Sequence, residues 1–293
     1  MPHVDANGMS IYFERRGEGN ATKVLLVMGL GAQLISWPEG FVDLLVAADH
    51  DVLLFDNRDV GLSTYLDERG LPDVAAYLSG ERPEPAYLLA DLADDAVALM
   101  DAVGWRSAHV VGVSMGGMVS QEIAIRHPHR VDTLTSIMST TGNPEVGQPT
   151  PEALAVLLNE PPTTADEAEE IANRTWRVTS SPGFPFPEAD VRARARAEFE
   201  RAFHPAGTLR QMAAILSSPD RTLALGQLTM PVLVIHGDGD TLVTPSGGEA
   251  TAAAIPGSSL WMVPGMGHDL PRPIWGDLVE RISRHLAAVP ADA

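Results

Sequence analysis

Three separated stretches of this chain carry residue types that together can do nucleophilic chemistry. The first is Gly112-Val113-Ser114-Met115-Gly116, a serine fenced by glycines between two apolar runs. A serine hydroxyl attacks only when a base takes its proton, and the base needs an acid to orient it. The Gly-x-Ser-x-Gly spacing suits a sharp turn from strand to helix, which lifts the hydroxyl above a sheet. Glycines at 112 and 116 have no side chain to clash where strand and helix meet, and Gly117 thins the helix further. The competing reading is a plain structural turn. An apolar strand before it and a helix after it favour the nucleophile.

The base must come from nine histidines. His268 ends Pro264-Gly265-Met266-Gly267-His268, a loop flexible enough to bring an imidazole over Ser114. His3, His50, His127, His129, His204 and His285 lie in helix ends or polar segments and read as surface residues. His109 opens the Ser114 strand at its far end. His236 is the serious rival, but it precedes the acid loop, which would reverse the order Ser, Asp, His. The acid lies in His236-Gly237-Asp238-Gly239-Asp240. Asp240 is favoured, because a few loop residues are needed to reach inward, while Asp238 suits a turn-bracing role. A calcium loop starting at Asp238 fails, since its sixth position is Val243 where glycine is required. Acyl transfer also needs donors for the developing oxyanion. Met28-Gly29-Leu30-Gly31 can offer the Leu30 N–H, and the helix start offers that of Met115.

The elements that position these residues alternate. Short apolar runs at 23–28, 51–55, 108–113, 131–138, 231–236 and 258–263 read as buried strands, with a further strand at 9–14 after the Asn7-Gly8 turn. Helical spacing covers 38–48, 88–103, 115–127, 246–254 and 274–287. The alternation implies an α/β fold with a mostly parallel sheet flanked by helices. It breaks at 142–218, which is rich in proline and charge and reads as helices at 152–158, 165–178 and 191–203. The expected division is a core of 1–141 and 219–293 with a helical insertion at 142–218.

Bulk properties narrow the partners. The net charge is −19 with Lys23 the only lysine, which repels nucleic acid and anionic lipid. No cysteine is present, so disulfides and thiol chemistry are excluded. The longest apolar run, 24–31, is too short to span a bilayer, and residues 1–10 lack a signal pattern. A soluble cytoplasmic protein is expected.

These residues resemble the α/β-hydrolase family across most of the chain. The matching motifs are MGLG, DNRDVGLS at 56–63, GVSMGG at 112–117, the DGD acid loop and PGMGH at 264–268. DNRDVGLS is similar to the family turn in which Asp56 and Arg58 brace loops and do no chemistry. Within the family the chain looks most like the aclacinomycin methylesterase-type serine esterases, through LLVMG, Trp37-Pro38, the G-x-SMG elbow and PGMGH-x-LP. One departure is Met28, where many relatives carry histidine. The resemblance implies that residues 142–218 form a cap and that a carboxylic ester is cleaved with water and no cofactor. The expected substrate is a small-molecule ester, apolar or aromatic, such as the methyl ester of a polyketide-like compound, with Met28, Trp37, Trp176, Phe184 and Phe186 lining its pocket. Lactonase, C–C bond hydrolase and cofactor-free perhydrolase or haloperoxidase activities use the same triad. A non-catalytic small-ligand receptor on the same scaffold is the rival of another class.

Overall fold

The apolar runs become strands whose alternate residues feed two separate cores. In the computed structural model, which describes residues 2–81 and 83–289, the strands are β1 (His3–Ala6), β2 (Met9–Arg16), β3 (Thr22–Val27), β4 (His50–Phe55), β5 (Ala108–Val113), β6 (Val131–Ile137), β7 (Val232–Gly237) and β8 (Ser259–Val263). They form one sheet in the order β1-β2-β4-β3-β5-β6-β7-β8. β1, β2 and β4 pair antiparallel, and every pair from β4 to β8 is parallel. Leu25, Val27, Leu53 and Val110 face one core, while Val24, Leu26, Val52 and Val111 face the other. That period of two, apolar on both faces, is what a sheet covered on both sides requires.

The first core is closed by α3 (Leu89–Ala102) and α4 (Met115–Arg126), the second by α1 (Glu39–Ala47) and α11 (Trp275–Leu286). α2 (Val74–Leu78) lies between β4 and α3, and α10 (Ser246–Ala254) between β7 and β8. Between β6 and β7, which are neighbours in the sheet, the chain makes α5 (Pro151–Leu157), α6 (Ala165–Thr179), α7 (Glu188–Arg201), α8 (Pro205–Ser217) and α9 (Thr222–Leu225). No helix among the described residues is long and apolar enough to cross a membrane.

The strand order reverses at β3, which has β4 on one side and β5 on the other. In open α/β sheets the crevice beyond the carboxyl ends of such strands is where ligands bind. Ser114 directly follows β5, and Met28–Gly31 directly follows β3. β3 and β5 are paired with Val27 opposite Gly112, so the two segments emerge side by side.

Several elements differ from the sequence expectation. β1 is a four-residue edge strand half open to solvent, joined to β2 through Asn7-Gly8, and its weak burial pattern hides it. α8 carries Arg210 and Gln211 on its buried face, which masks the apolar stripe that would reveal a helix. Of the histidines expected at the surface, His3 and His129 are exposed but His50 is buried, its Nε2 paired with Ser283 Oγ at 2.7 Å. His127, His204 and His285 are half-buried and partnered by Asp94, Asp67 and the Leu134 carbonyl respectively. A polar neighbourhood in sequence misled here, because the partners arrive from distant elements.

Candidate functional site

The turn at Ser114 is held by close backbone packing. Ser114 adopts φ 55° and ψ −123°, a left-handed conformation costly for a residue with a side chain. Its N–H donates to the Ile137 carbonyl on β6 at 2.9 Å. A Cβ on Gly112 would sit 2.2 Å from the Gly116 carbonyl oxygen, and one on Gly116 would sit 2.1 Å from the Val27 carbonyl oxygen. Glycine is therefore obligatory at both positions. A Cβ on Gly117 would meet the Ser139 side chain at 2.6 Å, so that glycine also serves packing. Met115 is the first residue of α4, and its N–H has no carbonyl one turn earlier to bond within the helix.

Ser114 Oγ lies 2.9 Å from His268 Nε2, and His268 Nδ1 lies 2.8 Å from Asp240 Oδ2. These are the three residues singled out by type and chain order. Asp240 is buried, and its other oxygen accepts the Leu242 and Val243 N–H groups at 2.9 and 3.0 Å. Those bonds fix the carboxylate plane and aim Oδ2 at the imidazole. Asp238 points elsewhere: its Oδ1 accepts the Gly265 N–H at 2.6 Å and ties the acid loop to the histidine loop.

His236 stands behind the acid. It is fully buried, with Nε2 2.7 Å from the Val243 carbonyl and 3.5 Å from Asp240 Oδ2. A carbonyl only accepts, so Nε2 carries the proton. Burial holds this imidazole below its ordinary pKa, with Asp240 opposing the shift. The arrangement makes His236 a neutral neighbour of Asp240 rather than a partner of Ser114.

The insertion grips the histidine loop from outside. His268 N–H donates to the Thr179 carbonyl at 2.7 Å, and Gly267 N–H donates to Ser181 Oγ at 2.9 Å. Gly183 N–H donates to the Gly265 carbonyl at 2.9 Å. Asp269 accepts from the Ser181 N–H at 2.8 Å and from its hydroxyl. Burial pushes the Asp269 carboxyl above its ordinary pKa, while the Ser181 bonds oppose that shift. Thr179, Ser181 and Asp269 escaped the sequence reading. Asp269 had adjacency to His268 as a signal, whereas the other two had none.

The loop after β3 runs beside the serine, and a Cβ on Gly29 would lie 3.3 Å from Ser114 Cβ. Gly29, the residue before the expected donor Leu30, thus packs against Ser114. Asp56 braces this region from behind: it is fully buried and accepts the Leu34 and Leu62 N–H groups at 2.7 and 2.8 Å. Arg201 of α7 reaches the same carboxylate at 2.8 Å. Arg58 forks onto Asp95 with two bonds of 2.6 Å. Asp56 therefore braces the loops beside the site, whereas Arg58 ties its turn to helix α3.

A cavity of about 1810 Å³ opens over Ser114 and His268. Met28, Trp37, Trp176 and Phe186 line it. Phe184 does not, which corrects the sequence expectation. It packs against the second core instead, because Gly183 is drawn down onto the histidine loop. Much of the remaining lining is apolar, including Met118, Met138 and Leu154. The cavity exceeds the roughly 300–1,000 Å³ of ordinary ligand pockets.

Residues 23–271 match the family model described as alpha/beta hydrolase fold. The rhodomycin D methylesterase DauP of Streptomyces sp. (strain C5) is 31% identical to this chain, with 97% of each chain covered. The rhodomycin D methylesterase DnrP of Streptomyces peucetius is 30% identical, with 96% of each covered. Among solved structures, the enol-lactonase from Burkholderia xenovorans LB400 superposes with a TM-score of 0.72 at 24% identity, covering 98% of this chain and 100% of that one.

Proposed function

This chain belongs to the α/β-hydrolase family, and on that premise we propose that it cleaves its substrate through an acyl-enzyme on Ser114. Its similarity to two methylesterases makes it a carboxylic ester hydrolase. The observation that carries the mechanism is the unbroken line of hydrogen bonds from Asp240 through His268 to Ser114.

The chemistry follows from that line. The ionised Asp240 accepts the Nδ1 proton of His268, which leaves Nε2 free to take the Ser114 proton as the hydroxyl attacks the ester carbonyl. Asp240 then stabilises the imidazolium. The developing oxyanion is held by the N–H groups of Leu30 and Met115, backbone donors that need no reorganisation during the reaction. His268 returns its proton to the leaving alcohol. A water then gives a proton to the same nitrogen as its oxygen attacks the acyl carbon, and that proton passes to Ser114 Oγ as the acid leaves.

The substrate reading rests on the cavity and the relatives. A large, mostly apolar chamber with Trp37, Trp176 and Phe186 suits a bulky apolar or aromatic ester. The two methylesterases favour a methyl ester. Residues 142–218 act as the cap over a core of 1–141 and 219–293, since the helical insertion supplies Trp176 and Phe186 to the chamber. A panel of methyl esters of multi-ring acids, small methyl esters, lactones and p-nitrophenyl esters tests this. The account expects the highest kcat/KM on the large aromatic methyl esters. Preference for lactones, with those esters inert, would overturn the substrate assignment.

A further inference from the structure

We propose that Gln211, on α8 of the insertion, is a positioning residue that sets the oxyanion hole by holding the turn from Gly29 to Ala32. The inference rests on the Ser114 acyl-enzyme reading above and concerns a residue that touches neither substrate nor reacting atoms.

The turn has a defined geometry. Ala32 N–H donates to the Gly29 carbonyl at 3.3 Å, and Gly31, the third residue, has φ 65°. Leu30 is not among the residues with positive φ. A four-residue turn with positive φ only at its third position is type II, and glycine is the residue that fits there. Within a trans peptide the C=O and the N–H point in opposite directions. Fixing the Gly29 carbonyl toward Ala32 therefore turns the Leu30 N–H outward, away from the turn.

The next peptide, between Leu30 and Gly31, is the one that distinguishes type II from type I. Flipping it changes ψ of Leu30 and φ of Gly31 together. Gln211 opposes that flip, and by anchoring this peptide it also holds in place the Leu30 Cα whose N–H is the donor. Its Oε1 accepts the Gly31 N–H at 2.8 Å, and its Nε2 donates to the Arg58 carbonyl at 2.8 Å. One bond demands an acceptor and the other a donor, so the amide orientation is determined. The side chain is fully buried, where a lost partner leaves an unsatisfied group.

α8 is built to hold this amide still. A Cβ on Gly31 would meet Thr208 Oγ1 at 2.7 Å, and a Cβ on Gly207 would meet the Asp59 carbonyl oxygen at 1.8 Å. The helix thus lies directly on the loops after β3 and β4. Arg210, next to Gln211 and 1% exposed, forks onto Asp59 with bonds of 2.8 and 2.7 Å. A helix fastened this way is a rigid base for a side chain that fixes a backbone donor.

The test compares wild type with Gln211→Met, which fills the space without either bond, and Gln211→Glu, which keeps the acceptor for Gly31. Each protein is normalised by fluorophosphonate titration. The readouts are KM and kcat on a p-nitrophenyl ester, and Ki for a trifluoromethyl ketone, whose adduct with serine carries an oxyanion. Gln211→Met is expected to lose about 10–100-fold in kcat, a part of what one oxyanion donor supplies, with KM little changed. The ketone Ki should rise by the same factor. Gln211→Glu should recover most of this at low pH, and its Ki relative to wild type should climb with pH, as ionisation removes the proton donated to Arg58. If Gln211→Met does not fold, that pH-dependent ratio alone decides. A wild-type Ki in Gln211→Met, or a ratio for Gln211→Glu that stays flat with pH, would overturn the proposal. A wild-type enzyme that neither the fluorophosphonate nor the ketone inhibits would instead overturn the Ser114 reading beneath it.

Discussion

Asp240→Asn isolates the electrostatic part of the mechanism with almost no change of shape. Asp240 Oδ1 already accepts two backbone N–H groups, from Leu242 and Val243. An asparagine must place its oxygen there, because its NH₂ cannot accept those bonds. The NH₂ is then left facing His268 Nδ1, at the 2.8 Å now spanned by the Asp240 contact. A donor in that place selects the imidazole tautomer with its proton on Nε2. That nitrogen lies 2.9 Å from Ser114 Oγ and would then donate to the serine instead of taking its proton. The same NH₂ would also sit near the His236 Nε2–H, now 3.5 Å from the carboxylate oxygen. A wrong tautomer of this kind costs about 10⁴-fold in kcat, on the order of 5 kcal/mol of transition-state stabilisation. The assay is kcat on a p-nitrophenyl ester, with Tm measured on the same samples. The expected result is a large loss of kcat with Tm close to that of wild type. A variant within about tenfold of wild-type turnover would refute the tautomer argument.

Two other outcomes follow from the scaffold. Burial pushes the His109 imidazole down to about 4, with the Asp132 charge opposing it. The unfolded chain binds a proton near pH 6.5 that the fold refuses, so this stability is complete above that pH. It is lost as the pH falls toward 4, by up to about 3 kcal/mol. His109→Gln should therefore show a smaller fall of Tm between those pH values than wild type, and an unchanged fall would contradict it. Gly116→Ala places a methyl group against the Val27 backbone, which cannot give way without moving β3. The expected cost is about 3 kcal/mol or more, read as the midpoint shift in urea unfolding, and a midpoint within error of wild type would contradict the close packing.

The sequence made the site more legible than the elements that hold it. Ser114, Asp240 and His268 could be found because each sits in a short stretch whose glycines and flanking apolar run have one sensible geometry. Their order along the chain settled the choice against His236. The doubly buried strands were equally plain, since β4, β5 and β7 are apolar enough to read without a partner. The hidden parts are those whose meaning depends on distant contacts. Gln211 and Arg210 look like ordinary polar residues of the insertion until α8 is laid on the loops after β3 and β4. Ser181 and Thr179 sit in an unremarkable helix end, yet they hold the backbone of the catalytic histidine candidate and of the glycine before it. Phe184 and Phe186 are two residues apart, and only the pull of Gly183 onto Gly265 sends one to the core and the other to the cavity.

That pattern gives the insertion a second role. It lines the cavity with Trp176 and Phe186, and it also fixes both loops that flank Ser114. Residues 179–183 hold the histidine loop, and Gln211 holds the loop after β3. Cavity-lining residues and loop-fixing residues are thus interleaved in one segment. Exchanging the whole insertion with that of a relative would change both at once, whereas single substitutions at Trp176 or Phe186 leave the loop contacts intact.

The central claim is that Ser114 becomes acylated and that every turnover passes through that ester. Rapid quenching of the enzyme with excess p-nitrophenyl ester, followed by peptide mass mapping, tests it most directly. The account predicts the mass of the acyl group on the peptide containing Ser114, formed at the rate of the first nitrophenol release, and absent in Ser114→Ala together with turnover. Full turnover by Ser114→Ala, or an acyl group mapped to a different residue, would contradict it.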